Sequence, residues 1–228
     1  MVDTEYRYEL KYIISDQAAE LLKQQLRALM ELDSHSISDE CSYSIRSLYF
    51  DDINSSAYYD KLDGIEYRSK YRMRIYNGSK DVIKLECKHK DENMTYKESS
   101  SLNYEIARAV IDGRYGAIRT NDAFMNRFLA EAMARSLRPS ILVEYRRLAF
   151  VYPVSEVRIT FDSELRSGRY DMDLFNADSS TFETFDEGRQ VLEVKCNEFI
   201  PQHILNVLSS VPLLRQAVSK FAICRSMK

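Results

Sequence analysis

Residues 68–76 read Arg68-Ser69-Lys70-Tyr71-Arg72-Met73-Arg74-Ile75-Tyr76. A basic residue occupies every second position from Arg68 to Arg74. Successive side chains of a β-strand point to opposite faces, so this stretch predicts a strand with one basic face and one mainly apolar face. The basic face contains no acidic residue, although the whole chain carries a net charge of −3. Because like charges on adjacent positions repel, we expect an anion to lie against this face.

The same alternation recurs in four other predicted strands, at Tyr6–Ile14, Val82–Lys90, Val157–Asp162 and Val191–Cys196. A sheet with one face in water would also alternate, but it explains less well why the cations of residues 68–74 carry a single sign. If the sheet closes with this face inward, about eight strands leave room for side chains and a slender ligand. The charged faces consist of Arg7, Glu9 and Lys11; Lys84, Glu86, Lys88 and Lys90; Arg158, Thr160 and Asp162; and Glu193 and Lys195.

The order of elements favours an α+β fold built on an antiparallel β-barrel with flanking helices. Strands outnumber helices, no regular βαβ rhythm is present, and Asn77-Gly78 is typical of a hairpin turn. With no long linker, residues 1–228 are predicted to form a single domain. Further strands are predicted at Ser44–Asp51 and Ile141–Phe150, with another at Tyr170–Phe175, and helices from Asp16 to about Met30, at Asn103–Ile111, at Asp122–Ser136, from Pro201, and at Leu213–Cys224.

Composition excludes several classes of protein. The net charge of −3 gives no reason to expect a nucleic-acid partner, and the tyrosines alternate to the face opposite the cations. Residues 1–12 lack an apolar signal segment, and no apolar run reaches membrane-spanning length, so we expect a cytoplasmic protein without membrane insertion. The scattered cysteines, Cys41, Cys87, Cys196 and Cys224, are expected to be reduced thiols, and a zinc site is not expected.

The chemistry of the basic faces favours a linear phosphate chain as the anion. Arginine offers planar, paired donors that match phosphate oxygens, and lysine offers a point charge. The acidic residues on these faces have two possible roles, which are pairing with neighbouring cations and binding Mg²⁺ or Mn²⁺ together with phosphate oxygens. We rank the metal-binding role first for Glu193 and next for Glu86, and regard the two roles as even for Glu9.

A set of short motifs, in this order along the chain, resembles the VTC domain. That domain is the polyphosphate polymerase module of the vacuolar transporter chaperone complex, within the triphosphate tunnel metalloenzyme (CYTH-like) superfamily. The similarity extends from about Tyr6 to Phe221. It is carried by Lys11-Tyr12, Ser47-Leu48-Tyr49-Phe50-Asp51, Lys70-Tyr71-Arg72-Met73-Arg74, Glu86-Cys87-Lys88, Tyr145-Arg146-Arg147-Leu148-Ala149-Phe150, Arg158-Ile159-Thr160, Leu192-Glu193-Val194-Lys195 and Ser219-Lys220.

The resemblance implies a tunnel barrel that transfers the γ-phosphate of ATP to a growing polyphosphate chain, with Mn²⁺ or Mg²⁺. By matched position it implies phosphate contacts by Lys11, Lys97, Tyr145 and Ser219, and a metal ligand in Glu193. Strand-face position adds Arg68, Lys70, Lys84, Arg158 and Lys195 as phosphate contacts and Glu86 and Glu9 as metal candidates. By the same match, the resemblance implies that Arg72, Arg74, Lys88, Arg147 and Lys220 bind phosphate, and we assign the catalytic role to these five. We choose Arg147 over Arg146 because Arg147 shares a strand face with Tyr145.

The sequence departs from the hydrolytic relatives at its first strand. Many of them begin with Glu-x-Glu-x-Lys, whereas this chain has Arg7-x-Glu9-x-Lys11. The departure favours the polymerase over a triphosphatase that hydrolyses triphosphate or a nucleoside triphosphate. A non-catalytic polyphosphate-binding module is the third alternative. The expected partners are ATP and inorganic polyphosphate. The 228 residues show no SPX-type domain, so regulation by inositol phosphates is not implied, and a membrane partner is left open.

Overall fold

Eight antiparallel strands close into a barrel within the part of the chain that the computed structural model describes, which is residues 6–35, 42–92, 94–185 and 188–226. The strand order around the barrel is β7-β3-β4-β5-β6-β1-β10-β8, and pairing of β8 with β7 closes it. The two-residue strand β2 pairs with β7, and the two-residue strand β9 pairs with β8. The strands are β1 (Arg7–Ser15), β2 (Glu31–Leu32), β3 (Tyr43–Asp51), β4 (Arg68–Tyr76), β5 (Ile83–Asp91), β6 (Met94–Leu102), β7 (Arg138–Tyr152), β8 (Val157–Gly168), β9 (Phe182–Glu183) and β10 (Arg189–Cys196).

The registers of neighbouring strands place the charged faces on one side of the sheet. Glu193 lies opposite Lys11 on β1 and Thr160 on β8, and Asp162 on β8 lies opposite Arg147 on β7. The β4–β5 and β5–β6 pairs continue the same parity, with Arg72 opposite Glu86. Since residues directly opposite one another in a sheet share a face, these side chains all point to the barrel interior.

The apolar faces of the strands point outward and are covered by helices. Helices α3 and α4 pack over β3, β4 and β5, where Met73 and Phe128 are fully buried. Helices α1 and α5 pack over β1, β8 and β10, where Leu22 and Leu192 are fully buried. The main hydrophobic layers therefore lie between the barrel and its helices. The helices are α1 (Asp16–Leu26), α2 (Ser56–Leu62), α3 (Tyr104–Ile111), α4 (Ala123–Arg135), α5 (Gln202–Leu208) and α6 (Lys220–Ser226).

Local signals explain where several elements begin and turn. The side chains of Ser15, Asn103 and Asp122 each accept a hydrogen bond from a backbone N–H in the first turn of the helix that follows. Asn77 and Gly78 both have positive φ, and Ser79 N–H donates to the Tyr76 carbonyl at 2.9 Å, which confirms the predicted turn after β4. The expected helix from Asp16 ends at Leu26 rather than Met30.

Two expected elements are wrong. Residues 170–175 form no strand and reach a turn at residues 174 and 175, because Asp171 and Asp173 accept hydrogen bonds from backbone N–H groups two residues further on. The last helix begins at Lys220 instead of Leu213. The segment before it is extended, because Arg215 bridges to Tyr12 on β1 and Gln216 N–H donates to the Lys11 carbonyl at 2.9 Å.

Two further expectations concerned membrane-spanning segments and the state of the cysteines. None of the helices in the described ranges is long and apolar enough to cross a membrane. Cys87, Cys196 and Cys224 are buried free thiols. Cys41, the fourth cysteine, lies outside the described residues.

Candidate functional site

Two cavities occupy the barrel interior. The Arg72 cavity has a volume of about 460 Å³ and is lined by Arg72, Arg74 and Arg147 among others. The Lys70 cavity has a volume of about 410 Å³ and is lined by Lys11 and Lys70 among others. Glu9, Lys88 and Thr95 line both. The two cavities therefore meet at β1, β5 and β6.

A network of carboxylates and lysines lies at this junction. Lys11 Nζ is 3.3 Å from Glu9 and 3.9 Å from Glu193, and Lys195 Nζ is 3.3 Å from Glu193 and 3.7 Å from Glu9. Lys88 Nζ donates to Glu9. Burial alone would raise the pKa of both carboxyl groups, but the surrounding lysines hold each pKa well below its ordinary value. Both carboxylates are therefore charged.

The wall of the Arg72 cavity is built around Glu86. Arg72 Nε and Lys97 Nζ each donate to Glu86 at 2.7 Å, one to each carboxylate oxygen. Arg74 donates to the Tyr145 hydroxyl at 3.1 Å and to Ser47 Oγ at 3.1 Å. Arg72 and Arg74 are thus held by neighbours on β3, β5 and β7 before any ligand binds.

Helix α6 brings a lysine into the barrel. Arg147 makes two hydrogen bonds to Asp162, at 2.6 and 2.7 Å, and Lys220 Nζ lies 2.5 Å from the same carboxylate. The ring of Tyr145 has Arg147 at 5.3 Å and Lys220 at 4.9 Å from its centroid. Burial would raise the pKa of Tyr145, but these cations and Arg74 lower it. Asp162 therefore positions two of the predicted catalytic cations.

Lys70 lacks a matching charge. The described residues place no carboxylate within 4.0 Å of its Nζ, which donates to Ser219 Oγ at 3.3 Å and lies 5.7 Å from the Phe221 ring centroid. Burial, with Lys11 and Lys88 nearby, lowers the pKa of Lys70 well below its ordinary value. The Lys70 cavity therefore has a surplus of basic groups, and an anion bound there would favour the charged form of Lys70.

Three other predicted phosphate contacts are Arg158, Arg68 and Lys84. Arg158 pairs with Asp33 and donates to the Tyr43 hydroxyl at the edge of the Arg72 cavity. Arg68 donates to the Ile65 carbonyl beside the Lys70 cavity. Lys84 faces inward opposite Arg74 but lines neither cavity.

The predicted metal ligands differ in what their oxygens contact. Both oxygens of Glu86 accept from cations, so its contacts support the ion-pair role and give no support to the metal role. Glu9 lines both cavities and shares Lys11 and Lys195 with Glu193, and these two charged carboxylates fit a divalent ion that takes its other ligands from phosphate oxygens. Within the described ranges no three His, Cys, Asp or Glu side chains are grouped to hold a metal by themselves.

Several lining residues were missing from the predicted site. Arg7 and Lys90 share the inward parity of their strands and could have been included on that ground. Tyr49, whose hydroxyl accepts from Arg72 at 3.2 Å, follows from the register of β3 with β4. Lys61 on α2 and Arg215 in the extended segment line the Lys70 cavity. Neither lies on a strand with a charged face, so no local pattern could have identified them.

Comparison with solved structures supports the tunnel architecture. HpAC1 from Hippeastrum, an adenylyl cyclase candidate described as having a dominant triphosphatase activity, superposes with a TM-score of 0.60 and 17% identity, over 97% of this chain and 95% of that chain. An adenylate cyclase candidate from Bacillus halodurans superposes with a TM-score of 0.50 and 13% identity, over 91% and 88% of the two chains. At these identities the likeness shows the fold, which is that of the triphosphate tunnel proteins.

A comparison of the sequence with models of protein families gives a match over nearly the whole chain. The sequence model of the VTC domain matches residues 6–227, which include the strands of the barrel and helix α6. The motifs that carried the resemblance contribute the inward-facing side chains on β1, β4, β5, β7 and β10. This chain therefore belongs to the VTC domain family.

Proposed function

We propose that this protein is a polyphosphate polymerase that transfers the γ-phosphate of ATP to the end of an inorganic polyphosphate chain. The observation that carries the proposal is the surplus of buried basic side chains in the barrel, above all Lys70, which has no carboxylate partner in the described residues and whose charged form a bound polyanion would favour. An extended polyanion is the ligand that neutralises such a lining along its length.

The two joined cavities suit a reaction with two phosphate substrates. In this proposal, the triphosphate of ATP lies in the Arg72 cavity and the acceptor chain in the Lys70 cavity, so that the reacting groups meet beside Lys88. Holding both reactants in line removes much of the entropic cost of their encounter. The assignment of nucleotide to the Arg72 cavity follows from its arginines, which match phosphate oxygens in pairs.

The proposed step is an in-line displacement at the γ-phosphorus. A terminal oxygen of the acceptor forms a new P–O bond as the bond to the β,γ-bridging oxygen breaks, and the electron pair leaves on the β-phosphate of ADP. The acceptor oxygen is already an anion, so no side chain has to remove a proton. Arg72, Arg74, Lys88, Arg147 and Lys220 would stabilise the charge that develops on the transferred group.

A divalent ion, Mn²⁺ or Mg²⁺, belongs to this proposal. Glu193 and Glu9 would hold it together with phosphate oxygens, since both carboxylates stay charged at the junction of the cavities. When bound, such an ion would supply charge neutralisation at the phosphate oxygens. The lysines around the two carboxylates keep them oriented toward the interior.

The second candidate is a triphosphatase. HpAC1 is described as having a dominant triphosphatase activity, and it shares the fold at 17% identity. Arg7 favours the polymerase, because it places a cation in the lining of the Arg72 cavity where many hydrolytic relatives have the first acid of Glu-x-Glu-x-Lys. An added cation favours binding of a polyanion over a second carboxylate–metal contact.

The deciding experiment incubates the purified protein with ATP and Mn²⁺, and in parallel with Mg²⁺, and measures ADP, long-chain polyphosphate and free phosphate. We expect ADP and polyphosphate phosphate in equal amounts. Free phosphate as the main product would identify a triphosphatase. Tight binding of tripolyphosphate without turnover would identify a binding module.

A matched pair of variants links the activity to the tunnel. Arg74→Gln removes an interior cation, and we expect it to lower polymer formation by about 10²–10³-fold. Arg127→Gln, on the outer surface of α4 where Arg127 contacts Glu98, should leave the rate unchanged. Equal rates for the two variants would contradict the proposed site.

A further inference from the structure

The two ends of the tunnel differ in the side chains that line them. Strand β3 begins at Tyr43 and β4 ends at Tyr76, and both side chains line the Arg72 cavity together with His35. At the other end of the barrel, where β4 begins, none of the described residues that line the Lys70 cavity is aromatic. His35, Tyr43 and Tyr76 therefore form an aromatic rim at the end of the Arg72 cavity.

The three rings of the aromatic rim pack as one cluster. The ring centroid of His35 lies 6.1 Å from those of Tyr43 and Tyr76, and the two tyrosine centroids are 6.3 Å apart. Tyr43 is buried, and its hydroxyl accepts a hydrogen bond from Arg158 at 3.2 Å, whereas Tyr76 is half-buried and His35 is exposed. Tyr43 therefore anchors the cluster, and the other two rings keep surface that a ligand can contact.

His35 and Tyr76 suit a flat ligand. Their ring planes lie within 24° of parallel with centroids 6.1 Å apart, whereas Tyr96, which also lines the cavity, is already stacked on His89 at 4.4 Å. A planar group between two rings needs a centroid separation of about 7 Å, twice the carbon–carbon contact distance of about 3.5 Å. An outward movement of the exposed His35 ring by about 1 Å would therefore admit such a group.

The phosphate contacts of the same cavity lie next to the rim. Tyr76 is two residues beyond Arg74 on the inward face of β4, which is about 7 Å along the strand. Arg158, which pairs with Asp33, adds a cation beside Tyr43. Guanidinium groups for phosphates are thus followed, in one direction along the barrel, by rings for a base. This is the order of the parts in a nucleoside triphosphate.

We propose that the aromatic rim binds the base of the nucleoside triphosphate by stacking, an inference that rests on the proposed function. Stacking uses the flat face that every base has, and it is favourable beside a cationic groove that holds the phosphates. The nucleotide then enters through the aromatic rim with its γ-phosphate innermost. The polyphosphate product leaves through the end of the Lys70 cavity that is lined by Arg68, Lys90 and Arg215.

The first test is calorimetric titration of the full chain with β,γ-imido-ATP and, separately, with tripolyphosphate, in EDTA so that neither ligand is consumed. The double variant His35→Ala/Tyr76→Ala should bind β,γ-imido-ATP about tenfold or more weakly, because it loses the stacking contacts. Its affinity for tripolyphosphate, which has no base, should change by less than about twofold. His35→Phe/Tyr76→Phe keeps both rings and should keep the affinity for the nucleotide.

The matched control removes an aromatic ring elsewhere. Tyr170 is 80% exposed and lines neither tunnel cavity, so Tyr170→Ala should change neither titration.

Photolabelling with 8-azido-ATP locates the base directly. We expect the label on peptides that contain His35 or Tyr76, and we expect tripolyphosphate to prevent labelling because it occupies the triphosphate site. Label on α2 or on residues 213–219, which contribute to the lining of the Lys70 cavity, would reverse the assignment of the two ends and overturn the inference.

Two calorimetric results would also overturn it. The first is an unchanged affinity of the double alanine variant for β,γ-imido-ATP. The second is an equal loss of affinity for both ligands, which would show that the rings support the phosphate site and do not contact a base. Failure of the unchanged protein to bind either ligand is a different outcome, because it would contradict the proposed function itself and the inference with it.

Discussion

Lys70 is a buried lysine without a carboxylate partner among the described residues. A buried ammonium group is normally paired with a carboxylate, yet the described neighbours of Lys70 within reach are a hydroxyl and an aromatic ring. Burial comes first among the causes that lower its pKa, and the charges of Lys11, Lys88, Arg72 and Arg68 add to it. The free protein therefore holds Lys70 largely unprotonated at a pH between its lowered pKa and the ordinary value of 10.5.

This pKa shift predicts that phosphate binding is linked to proton uptake. A polyanion beside Lys70 favours the charged form and raises its pKa, so binding at a pH between the lowered pKa and 10.5 takes up a proton and weakens as the pH rises. Calorimetric titration with tripolyphosphate in two buffers of different ionisation enthalpy measures the protons taken up. The Lys70→Arg protein, whose side chain stays charged, should take up about one proton fewer.

The difference in proton uptake between the unchanged protein and the Lys70→Arg protein reports on Lys70. Any protonation of tripolyphosphate itself is the same in both titrations and cancels from the difference. Lys23→Arg, a substitution on the outer helix α1, should take up as many protons as the unchanged protein. Identical uptake by the Lys70→Arg protein and the unchanged protein would mean that Lys70 is already charged before the ligand binds.

Lys220 allows a separation of catalysis from stability. Asp162 keeps both hydrogen bonds to Arg147 when Lys220 is replaced by Met, so no buried carboxylate is left unpaired. We expect Lys220→Met to lower kcat for polymer formation by about 10²–10³-fold while the free energy of unfolding changes by less than about 1.5 kcal/mol. Urea unfolding and product assays on the same preparation check both. A normal kcat would remove Lys220 from the reacting site.

At the scale of single strands, the regular alternation of charged and apolar residues made most elements predictable. Strands β4 and β5 have a basic or acidic residue at every second position, and the structure gives them within a residue or two of the predicted ends. Strand β6, Met94–Leu102, was missed because three consecutive serines precede its last residue and it lacks the alternation of charged and apolar residues. Its place in the barrel is fixed by nine register pairs with β5 and not by its own pattern.

The extended segment before α6 shows a second limit of local patterns. Residues 213–219 contain leucine, valine and alanine at spacings typical of a helix. Strand β1 pairs with β6 only at Arg7 and Tyr8, however, so its edge at Lys11 and Tyr12 is open to another chain segment. The segment takes that edge and forms a backbone hydrogen bond at Lys11. An unpaired edge in a folded barrel overrides a helical spacing, and nothing in the segment itself reveals that edge.

Helix α6 is predicted to be held in the barrel by Phe221. This side chain is 1% exposed, and its ring centroid lies 5.0 Å from that of Tyr49. Phe221→Ala should lower the free energy of unfolding by about 3–5 kcal/mol, because it removes a large buried ring and leaves a cavity. Leu214→Ala, at a side chain that is 75% exposed, is the matched control and should cost less than about 0.5 kcal/mol. Similar urea midpoints for the two variants would show that α6 does not pack inside the barrel in solution.

For the molecule as a whole, the arrangement of charge was easier to predict than the order of strands. A chain with a net charge of −3 that concentrates cations on alternate strand positions has to place them where an anion can balance them, and the closed barrel does this. The insertion of β1 between β6 and β10 depends instead on pairings between residues more than 80 positions apart. No single stretch of sequence contains that information, so the neighbours of each strand could not be derived in advance.

The last prediction concerns residues 1–228 as one cooperative unit. The cations of the two tunnel cavities come from both halves of the chain, so a bound polyanion should stabilise all of it at once. Tripolyphosphate at 100 times its Kd should add about 2.7 kcal/mol, which for a domain of this size raises Tm by about 5–10 °C. Far-ultraviolet circular dichroism reports on the strands and helices, and fluorescence of the 16 tyrosines reports on side-chain packing, so both should show one coincident transition that moves together with ligand. Two separate transitions, with only one of them shifted by tripolyphosphate, would mean that the chain unfolds as two units and that the tunnel belongs to one of them.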